Sequence, residues 1–277
     1  MGLSSNILWH QTNKEALKKI LKKKEFRYSY SLEHIKSQTN TLECAFPMLS
    51  LCDIPFTDIG EYLTKYGGNS IGLSRDWGKR CGITPVVYCE PTSNLLNNII
   101  NTFKKEDGNI SPLTLNLLSH IKNHEGELPK YSYRKYRFYD EHEVRIIPKL
   151  NELERFNQEP IISKNSYNNY KNDNKNSSLL PDSLHVSFEY EDLRYFILKD
   201  EESIKEIKKI LSKEIDLNES KICFFTTQQV KEDFIGEEHN EVIDNININN
   251  YRNNFVPIND KINIDNKDMF SQIMHHS

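Results

Sequence analysis

Three short runs in this sequence combine residue types that could do chemistry. The first is Trp9-His10-Gln11-Thr12, at the junction of an apolar stretch and a lysine-rich amphipathic one. A histidine there would sit at a sheet edge beside the N–H groups of a helix start, suited to hydrogen bonding a ribose or phosphate. The alternative is an imidazole packed against Trp9 with one ring nitrogen satisfied. The second run, Tyr66-Gly67-Gly68-Asn69-Ser70-Ile71-Gly72-Leu73-Ser74-Arg75-Asp76-Trp77, sets glycines beside aromatic rings. Glycine lets backbone approach a ligand and an aromatic ring can stack on a flat one. The spacing fits neither a phosphate loop nor a dinucleotide fingerprint, and a plain hairpin-to-helix connection explains it equally. The third run is Tyr139-Asp140-Glu141-His142-Glu143-Val144-Arg145.

In an extended strand, Glu141 and Glu143 would share a face while His142 points away. Two carboxylates side by side repel, so one should hold its proton to higher pH than the other. Such a pair could accept a hydrogen bond from a sugar 2′-hydroxyl and stabilise an oxocarbenium-like transition state. The alternative is a charged strand edge paired to Arg145 or Lys135. His142 with these glutamates lacks the further ligands that a metal site needs, so no metal is expected. Just upstream, Lys130, Arg134, Lys135 and Arg137 interleave with tyrosines, a mixture suited to single-stranded nucleic acid or to a partner surface. An amphipathic connector is the plainer account of it.

The elements that must position these residues follow from periodicity. Ile7–His10 is expected as a strand, then a helix from Thr12 or Asn13 to about Lys24 with Ala16, Leu17, Ile20 and Leu21 on its apolar face. Residues 26–30 alternate like a strand, and 45–59 form an apolar run broken by Pro47 and Pro55. A helix over 57–65, a strand over 70–74, a short helix over 75–80 and a strand over 84–89 follow. Helices are expected near 92–105 and 112–124, with strand material at 138–139 and 144–147 on either side of the acidic run. Residues 163–178, rich in Asn, Ser, Lys and Tyr, have no periodicity and are expected as an exposed loop. Strands at 185–188, 195–198 and 222–225 and a helix over 201–214 complete the pattern. The irregular order predicts a mixed α+β fold with a largely antiparallel sheet core and flanking helices, in a single domain over 1–235. Residues 236–277 are expected as a loosely attached Asn-rich tail.

Composition restricts the classes. The 36 basic against 40 acidic residues give a net charge of −4, which argues against general nucleic-acid binding while leaving room for a local basic patch. Five cysteines without C-x-x-C spacing support neither a disulfide framework nor a zinc ribbon, and reduced thiols are expected. The N-terminus lacks a basic stretch followed by an apolar one, and no run approaches a membrane span, so a cytoplasmic location is expected.

The run Phe46-Pro47-Met48-Leu49-Ser50-Leu51-Cys52-Asp53-Ile54-Pro55 is followed by Tyr66-Gly67, Ile71-Gly72-Leu73-Ser74, Trp77, Gly82, Pro85-Val86 and Tyr88. Together with Tyr139-x-Glu141-x-Glu143-x-Arg145, Thr226-Thr227 and Glu232-Asp233-Phe234, this resembles the AbiGi family of abortive phage-resistance proteins over roughly residues 7–235. The resemblance implies the antitoxin half of a two-gene defence system whose partner toxin resembles a nucleotidyltransferase. A fainter likeness is to ADP-ribosyltransferases, which carry a polar residue on the first strand, a glycine-and-serine strand and a late catalytic glutamate. Carried over, it implies an ADP-ribosyltransferase-like fold. His10 would hold the ribose of NAD, with Thr12, Gly72 and Ser74 beside it. Trp77 or Tyr88 would stack on nicotinamide, and Glu143, with Glu141 before it, would stabilise the ribosyl cation. The departures are a histidine where such E-x-E enzymes carry arginine, and the absence of a Ser-Thr-Ser strand. The two functions implied are ADP-ribose transfer from NAD to a nucleic acid or protein, and non-catalytic binding of the partner toxin or its operator DNA.

Overall fold

A computed structural model describes residues 5–234 apart from 67, 107–108, 129–132 and 176–177, so the expected tail and Lys130 lie outside the described residues. The chain opens with β1 (Ile7–Thr12), α1 (Lys14–Lys23), β2 (Glu25–Arg27), β3 (Ser29–Lys36), β4 (Thr41–Cys52), α2 (Ile59–Tyr66), β5 (Asn69–Ser74) and α3 (Arg75–Arg80). It continues with β6 (Thr84–Pro85), β7 (Val87–Cys89), α4 (Asn94–Lys105), α5 (Pro112–Ser119), β8 (Ile121–Asn123), β9 (Glu125–Leu128), β10 (Tyr133–Arg137) and β11 (Glu143–Ile146). Last come α6 (Leu150–Arg155), β12 (Ile162–Ser163), α7 (Lys164–Asp173), β13 (His185–Ser187), β14 (Leu193–Leu198), α8 (Glu201–Leu211), β15 (Cys223–Thr226) and α9 (Thr227–Phe234). The fold is mixed α+β with largely antiparallel strand pairing.

The described residues gather into two compact units, each assembled from separated stretches of chain. The first takes residues up to 25, 51–80 and from 187 onward; the second takes 26–50 and 81–186. In the first, β15 lies parallel to β14, while β14–β5 and β5–β1 are antiparallel and Trp9 faces Cys52 at the end of β4. Alternation along the strands divides the core. Trp9, Ile197, Leu63 of α2 and Val230 of α9 share one cluster, with Phe56, Tyr195 and Phe225 against it. On the other face Phe196 stacks on Phe224, over which Lys208 of α8 sits at 4.9 Å.

In the second unit β3 and β4 pair in antiparallel register from Ser29↔Met48 to Lys36↔Thr41, with β12 also on β4. β11 pairs with β6, β7 lies parallel to β8, and β9 pairs with β10. The amphipathic α4 buries Leu96, Ile99, Ile100 and Phe103 against Ile35, Leu42, Phe46 and Met48. Cys44 and Cys89 are buried here and Cys52 in the first unit, whereas Cys81 is half-buried and Cys223 exposed.

Three local expectations are corrected. The helix expected over 112–124 stops at Ser119, because the Ser119 hydroxyl and His120 Nδ1 both reach the Asn116 carbonyl, at 3.0 and 2.8 Å, in its last turn. Residues 121–123 then extend as β8. The loop expected at 163–178 contains α7: Ser163 Oγ accepts from Ser166 N at 3.1 Å as its cap, and Tyr170 packs edge-on against Tyr30 at 5.0 Å. Tertiary contacts, with no apolar stripe, hold that helix. Finally, 138–141 is a 3₁₀ turn, not strand, and His142 adopts left-handed φ of 42° before β11 begins.

Candidate functional site

The third run of the sequence lies wholly in the second unit, at the centre of a buried charge network. Arg145, on β11, has no exposed surface. Its Nε donates to Glu143 Oε1 at 2.8 Å, its Nη2 to Glu143 Oε2 at 3.1 Å and to Glu33 Oε1 of β3 at 2.5 Å, and its Nη1 to the Ser119 carbonyl at 2.7 Å. Lys122, on β8, donates to Glu143 Oε2 at 2.8 Å and to Glu141 Oε2 at 3.3 Å, and lies 4.8 Å over the Phe138 ring. The Tyr136 hydroxyl donates to Glu141 Oε1 at 2.9 Å, and the Glu143 N–H donates to the Tyr88 hydroxyl at 2.8 Å.

The two glutamates do converge, but not by strand alternation. Glu141 sits on the 3₁₀ turn and Glu143 on the strand, and the left-handed kink at His142 turns both toward one ammonium. Burial pushes Glu143 upward, but Arg145 and Lys122 outweigh it and hold the carboxyl well below the usual carboxylate range. The carboxyl raised by burial is that of Glu33, on which Arg145 and then Lys122 act in the opposite sense without prevailing. Lys122 is held cationic by Glu143, Glu33 and Glu141 against its burial. Three carboxyl groups thus face two cations, and burial opposes the charge on Glu33 most strongly.

Glu33 and Lys122 were not singled out in the sequence. Glu33 carried a usable signal: it falls in phase with buried Ile35 on β3, an acid at an inward position. Lys122 carried none, because Ile121–Asn123 reads as the end of a helix.

The other expected residues are distributed differently. His10, Thr12, Gly72, Ser74 and Trp77 belong to the first unit, and Tyr88 to the second. His10 pairs with Ile71 and Thr12 with Asn69 in the β1–β5 register. The cap of α1 is Asn13, whose Oδ1 accepts from Ala16 N at 2.8 Å. Gly72 opens no cradle: a Cβ there would lie 3.0 Å from Ile7 Cγ2 and Trp9 Cζ3 and 3.1 Å from Tyr195 Cβ. Trp77 is 1% exposed, its Nε1 donating to the Ser187 carbonyl at 2.9 Å, and Ser74 Oγ accepts from Trp77 N at 3.3 Å. Gly72 and Trp77 are thus packed against the protein's own side chains. Tyr88 packs edge-on against Tyr139 at 5.4 Å, and burial pushes its phenol up. Arg134 and Lys135 lie on β10, and Arg137 is exposed, its Nε 2.8 Å from Asp140. No group of three metal-ligating side chains occurs among the described residues, and no described helix is long and apolar enough to cross a membrane.

Fold and site together define a mixed α+β protein with a closed ionic network within its second unit. Residues 14–199 match the family described as "Putative abortive phage resistance protein AbiGi, antitoxin". A relative from Lactococcus lactis subsp. cremoris, named Abortive phage resistance protein AbiGi, is 30% identical, covering 75% of this chain and 97% of that protein. The chain belongs to the AbiGi family of abortive phage resistance proteins. Among solved structures, "Thermus sp. 2.9 DarT in complex with NAD+" aligns at a TM-score of 0.32 and 10% identity, over 81% of this chain and 97% of that chain. A likeness at that level carries no argument here.

Proposed function

We propose that this chain acts in phage resistance as an antitoxin: a binding protein that neutralises a nucleotidyltransferase-like partner toxin and performs no chemistry through its acidic pair. The observation that supports this is the state of Glu143. Transfer of ADP-ribose from NAD would need a glutamate oxygen free to accept from the ribose 2′-hydroxyl and to face a developing ribosyl cation. Both Glu143 oxygens are already engaged, by Arg145 and Lys122, and the side chain is 7% exposed. Two fixed positive charges beside it would oppose the appearance of a third. The family's description as an antitoxin agrees with this reading.

The test uses the full chain. Lysate expressing it is given labelled NAD, alongside lysate expressing Glu143→Gln. In parallel, the chain is co-expressed with the nucleotidyltransferase-like product of a neighbouring gene. Binding without catalysis predicts no label transfer in either lysate and recovery of growth in the co-expression. Label transfer by the parent that disappears in Glu143→Gln would overturn it in favour of an ADP-ribosyltransferase using NAD.

A further inference from the structure

The first unit carries a concentration of positive charge that the acidic pair leaves unexplained. On α1, Lys14, Lys18 and Lys22 recur every fourth residue and so line one edge of the helix. The first two meet α8 through one acid: Lys14 Nζ lies 2.7 Å from Glu206 Oε1 and Lys18 Nζ 2.6 Å from Glu206 Oε2. The two helices run in the same direction. The Tyr190 hydroxyl donates to the Leu21 carbonyl near the end of α1 at 3.4 Å, and the same phenol feels Glu214 just beyond the end of α8. Their C-terminal ends therefore adjoin, and Lys19 and Lys22 share a surface with Lys205, Lys209 and Lys213, all five exposed.

Several of the acids nearby are engaged elsewhere, Glu15 among them at 3.3 Å from Lys18, while Glu201, Glu202 and Glu214 stand exposed at the two ends of α8. Glu25 pairs with Lys23 at 3.4 Å, Glu189 with Lys24 at 2.7 Å, and Glu206 with Lys14 and Lys18. Among the described residues Lys19, Lys22, Lys205, Lys209 and Lys213 make no ion pair. Complementing the helix dipole accounts for lysines in the last turns, Lys22 and Lys209 among them. It does not account for Lys19, Lys205 and Lys213, nor for two such ends set side by side in a chain of net charge −4.

We infer that the α1–α8 face binds the phosphate backbone of duplex nucleic acid. Axes of packed helices lie about 8–10 Å apart, so the two lysine rows can follow the dense phosphate charge of a duplex. Among the described residues of this surface no aromatic ring is exposed for unpaired bases to stack on, which disfavours a single strand. Leu17, Leu21, Ile204, Ile207 and Leu211 are all turned into the core, and Ile20 and Ile210 are only half-exposed, too little apolar surface to enter a bilayer. Lysine alone, without arginine or amides among the five, predicts binding that ignores base sequence.

The experiment follows a fluorescent duplex of about 20 base pairs by anisotropy with the full chain across a salt series. The log–log salt slope should be about −4.5 if all five lysines meet phosphates. Replacing Lys19, Lys22, Lys209 and Lys213 by glutamine should cut that slope to about −1 and weaken binding at least tenfold near 100 mM salt. A second variant, with the exposed Lys79, Lys105, Lys149 and Lys175 replaced by glutamine, loses the same charge elsewhere and should stay within about twofold of the parent. Circular dichroism of both variants checks folding. Absence of duplex binding by the parent, equal loss in the two variants, or capture by phosphatidylserine vesicles or an acidic partner protein in place of duplex would each overturn the inference. None of these outcomes depends on toxin neutralisation.

Discussion

Glu33 and Glu143 grip the same guanidinium, yet losing their charge should cost them differently. Glu143→Gln leaves Arg145 and Lys122 buried with too little negative charge, and we expect a loss of about 3–5 kcal/mol in denaturant unfolding. Burial opposes the charge on Glu33, and glutamine keeps an oxygen to accept from Arg145, so Glu33→Gln should cost less than Glu143→Gln. The pH dependences separate them further. With its folded pKa depressed, Glu143 contributes stability above the ordinary carboxylate value of about 4.3, and that contribution is lost as pH falls. With its folded pKa raised, Glu33 contributes stability that is full below about 4.3 and is lost as pH climbs through the folded value. Unfolding midpoints measured across acid and neutral pH should fall less steeply on the acid side in Glu143→Gln and decline less with rising pH in Glu33→Gln. Equal costs for the two variants would contradict this division of charge.

Single elements show where the sequence was legible. The α1 stripe, its lysine-covered exterior and its Asn13 cap follow from spacing alone, and Asn13→Ala should destabilise by about 1 kcal/mol in thermal unfolding. Gly72 was visible as a glycine but not as a packing glycine, because Trp9, Ile7 and Tyr195 come from other strands. Gly72→Ala should cost about 1–3 kcal/mol by crowding those side chains; an unchanged melting temperature would show that they can yield. The misread elements share a cause. The cap and aromatic contact that hold α7 and the carbonyl contacts that stop α5 lie outside hydrophobic periodicity. The acidic run looked like a strand because its kink rests on one backbone angle at His142, which residue type does not announce. For the same reason Glu141 and Glu143 could be picked out as a pair while Glu33 and Lys122, which complete their surroundings, could not.

At the scale of the whole molecule, the order of segments along the chain governs what can fold. Residues 81–186 supply most of the second unit, but its core also needs Ile35, Leu42, Phe46 and Met48, and Arg145 needs Glu33. A fragment spanning 81–186 is therefore expected to lack a cooperative melt by near-ultraviolet circular dichroism. A sharp transition would show the missing strands to be dispensable. The sequence revealed the kinds of element and their order, but not that the chain passes between the two units at residues 25, 50, 80 and 186. Composition does not change at those points, and the partner strands lie far apart in sequence.

The distribution of thiols gives each unit its own clock. Cys52 is sealed in the first unit and Cys44 and Cys89 in the second, where burial also pushes both thiols up and away from the reactive thiolate. Exposed Cys223 reacts with an alkylating reagent in the native state and so serves as the internal standard. Pulsed alkylation followed by peptide mass mapping would then time the opening of each unit from the natural sequence, with no cysteine introduced.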